Sequence, residues 1–458
     1  MTPIIRNPLD IPLIRTRISH YVTRKDAMAC ILVNKEWRED FMPSIWHTID
    51  FNFQKQFIGV DRAILAKHGR HIRDIKHIKG IAQIDTIQDS SVARLTSISL
   101  AMDSSPRYQA YAYDILRRNI TTLKNIQISK SYSGNSDPLF LFVDALSPST
   151  GTKSTSVLCH LKLDGISMTR DAFSSLLRMS PALETIDMRN IVLTSNLITD
   201  MYQHPNVTHL IASINQVFKV DEQSNNAPSL FAHFPNLTIW SMWSASTSDL
   251  DVPVDAIKAE IIKRCPQLKT LSTSLSGSFV VDILTHGIDN LKGICFMHKC
   301  FTPLLTMGVL LHKDTLERIE THTTSTKFYE SEHVHSIDNH FQEYGWTVQT
   351  MIHLCAHLKT IRIPLLEMNI EDIEKIGWTC TNLVELRIRI KGLDTAQKID
   401  KVVELWLEGR SKKRQSTQDI AEADCLVNLT LEGRVARHLI KFDKLKEVWL
   451  GTRFYRVA

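Results

Sequence analysis

Leu158-Cys-His-Leu-Lys-Leu163 and Leu183-Glu-Thr-Ile-Asp-Met188 are one pattern written twice: an apolar residue, two free positions, an apolar residue, one free position, an apolar residue. Working outward, the pattern precedes this pair as Leu95-Ile98-Leu100 and Leu123-Ile126-Ile128. It follows as Val207-Leu210-Ala212, Leu237-Trp240-Met242, Leu268-Leu271-Thr273, Leu291-Ile294-Phe296 and Leu316-Ile319-Thr321. It ends with Leu358-Ile361-Ile363, Leu383-Leu386-Ile388, Leu426-Leu429-Leu431 and Leu445-Val448-Leu450. Trp46-Ile49-Phe51 already has this spacing, and Ile72-Ile75 begins another unit. Self-similarity at a fixed period decides the architecture before any local reading. A unit this short cannot bury its own apolar side, so units must stack.

The step is 25 residues from Leu158 to Leu183, 24 from Leu183 to Val207 and 31 from Leu237 to Leu268. Leucine-rich repeats run at about 20–29 residues, so most units here have room for a helix. Phe173, Leu176, Leu177 and Met179 follow Asp171 at helical spacing, as a helix behind an Asp cap; Ile257, Ile261 and Ile262 follow Asp255 in the same way. Pro181, Pro205, Pro235 and Pro266 each stand two residues before a unit's first apolar position. Proline disfavours helix in the residue before it, so it ends the helix and releases the chain into a strand. The predicted fold is α/β: a leucine-rich-repeat solenoid of about thirteen strand–helix units over residues 52–458, preceded by a short all-α module over residues 1–51.

Composition sets the class. The chain has 458 residues, 43% hydrophobic and 22% charged, with a net charge of +5. That is an ordinary globular balance, too weakly basic to argue for nucleic acid. No apolar run reaches the roughly 18 residues of a membrane span. Eight scattered cysteines show no C-x-x-C spacing. Asp10, Arg15, Arg17, Arg24 and Lys25 near the start are unlike a secretory signal. The expectation is a reduced, intracellular protein, cytoplasmic and/or nuclear. Without a Gly-rich phosphate loop or G-x-S-x-G elbow, we expect no enzyme, no cofactor and no metal.

The front module reads as three helical elements. One starts near Pro12, with Ile14, Ile18 and Tyr21 on one face; a second follows the Thr23/Asp26 capping pair and carries Ala27, Cys30, Ile31 and Trp37. A third, Phe41 to His47, has Pro43 at its turn. The order Ile11-Pro12, Tyr21-Val22, Asp26, Leu32-Val33, Lys35, Trp37 and Ile45-Trp46 resembles an F-box across about 45 residues. The acidic residue usual after the Leu-Pro pair is missing here; Asp10 precedes Ile11-Pro12 instead. Joined to leucine-rich repeats, this is similar to the F-box/leucine-rich-repeat substrate receptors of the fungal type. The resemblance implies a module that docks on a Skp-type adaptor of a cullin–RING ubiquitin ligase through Ile11, Pro12, Leu32, Val33 and Trp37, with repeats that choose the target. The alternative is a non-enzymatic scaffold whose front helices only cap the solenoid, since terminal repeats need an atypical cover.

In each strand the residues between apolar positions face the concave surface. The first such position reads Ser99, Gln127, Lys162, Asp187, Ile211, Ser241, Ser272, Cys295, Glu320, Arg362, Arg387, Thr430 and Trp449; the second includes Trp243, Pro364, Arg389 and Glu432. Trp and Arg are the residues most enriched at binding hot spots, so Trp243, Arg362, Arg387, Arg389 and Trp449 are the candidate substrate contacts. If Glu320 does not reach the arginines, they suit an acidic or phosphorylated partner segment. The period is broken twice. The stretch around Thr321–Gly345 holds His333, His335 and His340 without metal-site spacing. The stretch 391–424 holds the basic run Gly409-Arg-Ser-Lys-Lys-Arg-Gln-Ser, read first as a solvated loop and second as an import signal.

Overall fold

The computed structural model describes residues 9, 11–52, 62–88, 92–103, 105–130, 156–194, 201–218, 229–242, 254–273, 278–297, 303–322, 348–415, 430–451 and 453–456. Contacts divide the chain into two compact units, residues 1–211 with 220–234, and residues 212–219 with 235–458. Each is α/β with a mostly parallel sheet.

The first unit opens with helices α1 (Pro12–Ser19), α2 (Arg24–Cys30) and α3 (Lys35–Trp46), and α3 passes directly into strand β1 (Thr48–Asp50). Then come α4 (Arg62–His68), β2 (Asp74–Ile78), α5 (Ile81–Gln88), β3 (Ser97–Met102), α6 (Pro106–Asn119), β4 (Asn125–Lys130) and β5 (His160–Asp164). After β5 the chain forms β6 (Ser167–Thr169), α7 (Arg170–Met179), β7 (Thr185–Arg189), β8 (Val192–Thr194) and β9 (His209–Ala212). The strands β1, β2, β3, β4, β5 and β7 pair in parallel in chain order, β9 continues beyond β7, and β6 pairs with β8. The middle residue of each sequence triplet meets its counterpart: Ile49, Ile75, Ile98, Ile126, Leu161 and Ile186 form one register line, all at most 2% exposed. Strand side chains alternate in direction, so an apolar residue at this shared position builds one continuous core.

The second unit repeats the scheme. Its elements are α8 (Ile214–Phe218), β10 (Ile239–Met242), α9 (Val254–Arg264), β11 (Thr270–Thr273), α10 (Ser278–His286), β12 (Gly293–Met297), α11 (Pro303–Leu310), β13 (Arg318–His322), β14 (Thr360–Met368), α12 (Ile370–Ile376), β15 (Glu385–Ile390), α13 (Ala396–Gln415), α14 (Leu431–Ile440), β16 (Glu447–Leu450) and β17 (Arg453–Arg456). Strands β10 to β16 pair in parallel in chain order, and β17 closes the edge antiparallel to β16. Trp240, Leu271, Ile294, Ile319, Ile361, Leu386 and Val448 form the register line, each fully buried.

Several expectations change. Of the triplet Leu426-Leu429-Leu431, the first two lie outside the described residues and the third is no strand residue: β15 and β16 pair directly, Thr430 caps α14 by accepting the Gly433 N–H, and Leu431 and Glu432 begin that helix. A threonine ahead of an amphipathic run is a helix start. The basic run is no loop through Gln415: it is the end of α13, where Arg410 donates to the carbonyls of Leu445 and Asp443 at 2.7 Å each. Pro43 lies inside α3 instead of at a turn, Trp37 belongs to α3 and not to the second helix, and Tyr21 is 81% exposed instead of on the inner face. The cap of α7 is Thr169, with Asp171 in the first turn, and Ile262 of α9 is exposed although Ile257 and Ile261 are buried. The insertion histidines His333, His335 and His340 lie outside the described residues.

Candidate functional site

Local chemistry fixes the front helices. Thr23 Oγ1 accepts the Asp26 N–H to start α2, and Asn34 Oδ1 accepts the Trp37 N–H at 2.9 Å to start α3. Arg15, buried at 2% exposure, fastens α1 to α3: its Nε donates to Asp40 at 2.6 Å and its Nη2 to Glu36 at 3.1 Å. The hydrogen bond to Asp40 raises its pKa further. Ser44 Oγ adds a bond to the Ser19 carbonyl at 2.6 Å. The core between these helices is Ala27, Phe41 and Ile45, with Ile18, Val22, Cys30, Ile31, Trp37 and Trp46 packed against it.

What the module leaves outside is as telling. The turn from α2 to α3 closes through Leu32 N–H to Ala29 and Val33 N–H to Cys30, and it holds Leu32 and Val33 outward at 79% and 60% exposure. Ile11, the N-cap of α1, and Pro12 in its first turn are exposed too. Trp37 is half-buried and stacks on Phe41 with ring centroids 5.4 Å apart, so it packs the module. Sequence reading did not single out Leu13, exposed at 77%, or Met28. Single exposed apolar residues are ordinary, whereas several on one small module mark an interaction surface.

On the second unit's sheet, Glu320, Arg362, Arg387 and Trp449 are register neighbours on successive strands. Glu320 does reach: its Oε1 lies 3.2 Å from Arg362, and Glu385 takes Arg362 Nε at 2.5 Å and Nη2 at 2.7 Å. The hydrogen bond to Glu385 raises the arginine's pKa. Arg387 lies over the Trp449 ring at 4.5 Å, and Trp449 also contacts the Phe454 ring at 4.5 Å. Arg389 is in register with Glu367, because β14 carries extra residues between Arg362 and Glu367; the expected strand position Pro364 is buried there. Glu320 is thus the anionic balance expected on the neighbouring rung, with Glu385 beside it on Arg362 and Glu367 the register neighbour of Arg389, and the condition under which the arginines suit an acidic or phosphorylated segment is not met. Trp243 lies outside the described residues. Cys295 is a packed thiol whose pKa burial pushes up to about 12.

The first unit holds a depression of about 320 Å³ across β2, β3, β4, β5 and β7, lined by Lys76, His77, Ser99, Gln127, Lys162 and Asp187 among others. His77 has φ 59°, a backbone conformation rare outside glycine, at a register shift in β2. Its Nδ1 lies 2.8 Å from Asp50 Oδ1. Burial raises the Asp187 pKa, against Arg189 Nε donating to it at 3.0 Å. Ser99, Gln127, Lys162 and Asp187 stand at positions that the sequence pattern marks as facing away from the core, but Lys76 does not, since Ile72-Ile75 is only half a triplet.

Among the described residues no helix is long and apolar enough to cross a membrane, and no group of three or more His, Cys, Asp or Glu could hold a metal ion. Comparison of the chain with protein-family models and with curated proteins finds no match to either.

Proposed function

We propose that this chain is the substrate-recognition subunit of a cullin–RING ubiquitin ligase: an F-box-like module of α1–α3 docks a Skp-type adaptor, and a leucine-rich-repeat solenoid presents the target-binding surface. The observation that carries this reading is the outward turn Leu32-Val33 with exposed Leu13 and Tyr21, on a module whose own core is three fully buried side chains. Segments near 40 residues rarely hold themselves up without a metal, disulfide or partner. An adaptor covering these side chains would bury the apolar surface that the module leaves in water. The chain-order parallel strands with one apolar register line per unit are the arrangement expected of stacked repeats. Such a receptor works in the cytoplasm and/or nucleus, performs no chemistry itself and needs no cofactor.

The test is capture of a purified Skp-type adaptor by the full-length chain. Capture is expected, and Leu32→Asp with Val33→Asp should abolish it while the thermal melt stays unchanged. A folded wild-type protein that captures no adaptor favours the second reading, an interaction scaffold with a helical cap. That reading has an observation of its own: Trp46 stacks on His68 at 4.9 Å, so the helices already cover the start of the repeats.

A further inference from the structure

On β1, β2, β3, β4, β5 and β7 the position after the buried register residue reads, in strand order, Asp50, Lys76, Ser99, Gln127, Lys162 and Asp187. Both acids are answered within the fold, Asp50 by His77 at 2.8 Å and Asp187 by Arg189 at 3.0 Å. The lysines are held less closely: among the described residues no side-chain hydrogen bond or close ion pair is made by Lys76 or Lys162, and each acts only through space, Lys76 on Asp50 and Lys162 on its register neighbour Asp187. Asp50, the register neighbour of Lys76, gives its hydrogen bond to the His77 imidazole, at a residue of left-handed backbone, and meets the lysine only through space. Two lysines without a hydrogen-bonded counter-ion therefore line the depression, with the polar, uncharged Ser99 and Gln127 between them.

We propose that this row binds an extended acidic segment of a partner protein, laid across the strands, whose two acidic side chains meet Lys76 and Lys162. The spacing follows from sheet geometry. Lys76 on β2 and Lys162 on β5 are three strand steps apart, about 14 Å at about 4.8 Å per step. An extended chain advances about 3.4 Å per residue, so side chains at i and i+4 span this distance and point to the same side. Ser99 and Gln127 then face the residues between the acids. This deepens the reading of the chain as a substrate receptor, on which it rests, by naming the chemistry and spacing of the target segment. It also moves anion recognition from the arginines of the second unit, where two carboxylates hold Arg362, to lysines whose ammonium groups no carboxylate hydrogen-bonds.

The test uses the full-length protein and fluorescent Ser/Gly peptides carrying two glutamates at i,i+2, i,i+4 or i,i+6, read by anisotropy. Binding should be tightest for i,i+4 and weaken as salt is added, because exposed charges are screened. Lys76→Gln or Lys162→Gln should each weaken it about two- to fivefold, the range of an exposed ion pair, with an unchanged melt. Equal affinity at all spacings, or an unchanged affinity in the Lys76→Gln/Lys162→Gln double variant, overturns the proposal. Adaptor capture is measured on the same samples: spacing-dependent binding by a protein that captures no adaptor overturns the ligase reading and leaves this row assigned.

Discussion

Arg362 and Arg387 are register neighbours on adjacent strands, and their charges meet different surroundings: Arg362 lies between Glu320 and Glu385, while Arg387 stands over the Trp449 ring. Like charges on neighbouring strands are tolerated because one is neutralised and the other faces a π-system. A double-mutant cycle of Arg387→Ala and Trp449→Ala should return a coupling of about 0.5–1 kcal/mol, the range for a partly exposed cation–π pair. Additive losses in denaturant unfolding would show that the ring contributes no more than bulk.

The front module should separate packing from docking. Trp37→Ala removes the ring stacked on Phe41 and should cost about 2–3 kcal/mol, below the full range for a buried aromatic because the ring is half-exposed. Leu32→Asp touches nothing in the core and should stay within about 0.5 kcal/mol. Thermal melts distinguish the two. A large loss from Leu32→Asp would mean that the turn is structural.

Asn119, the fully buried last residue of α6, ties that helix back to the segment leading into β3, the strand before it. Its Oδ1 accepts the Leu95 N–H at 2.8 Å, and its Nδ2 donates to the carbonyls of Ile115 at 2.9 Å and Val92 at 3.3 Å. Asn119→Leu matches the volume but leaves a buried backbone donor unpaired, so about 2–4 kcal/mol should be lost in urea unfolding. A loss under about 0.5 kcal/mol would sink this account.

Register was the part of the fold most open to reading. Each apolar triplet's middle residue had one place to go, and Ile98, Ile126, Leu161 and Ile186 stand side by side as the period requires. At Leu431 the template gives way to a helix because apolar spacing alone does not distinguish a strand from the start of a helix, and Thr430 supplies a cap that the template ignores. The candidate sites were less legible. Arg362 carries the same charge in sequence whether or not a carboxylate reaches it, and only strand pairing brings Glu320 and Glu385 alongside. Lys76 was hidden by a register shift at His77, which no periodicity encodes.

Gly409 sits inside α13, where glycine costs about 1 kcal/mol relative to alanine. The cause is close approach: a Cβ there would overlap the Ile440 side chain at the end of α14. Two effects oppose each other in Gly409→Ala. Helix propensity gains about 1 kcal/mol, while overpacking costs about 1–3 kcal/mol. The clash involves the tip of a flexible side chain but also its Cγ1, so the net should be a loss of about 1 kcal/mol. Gly409→Ala combined with Ile440→Val relieves the contact and should recover most of it. A Gly409→Ala protein more stable than wild type would show that the helices separate freely.

His438 gives the second unit an acid sensitivity whose sign can be worked out. It is buried in α14 beside Trp378, and burial, then Lys441, pushes its pKa down to about 4, with Arg437 and Arg434 adding repulsion and Glu374 opposing them. In the unfolded chain the imidazole titrates near about 6.5. Between these values the unfolded state binds the extra proton, so stability rises with pH there. The contribution is complete above about pH 6.5, falls as pH drops, and is gone once the folded imidazole protonates near pH 4. Its size should be about 2 kcal/mol, less than the whole shift implies because solvent screens the neighbouring charges. His204 and His233 in the first unit, also lowered by burial, add a slope of the same sign to that unit. The informative quantity is therefore the difference between wild type and His438→Leu. Urea midpoints for the second unit's transition should diverge between pH 7.5 and pH 5, with wild type losing the more stability. Parallel pH dependence in the two proteins would mean that His438 titrates as it does in water, and the burial argument would fall with it.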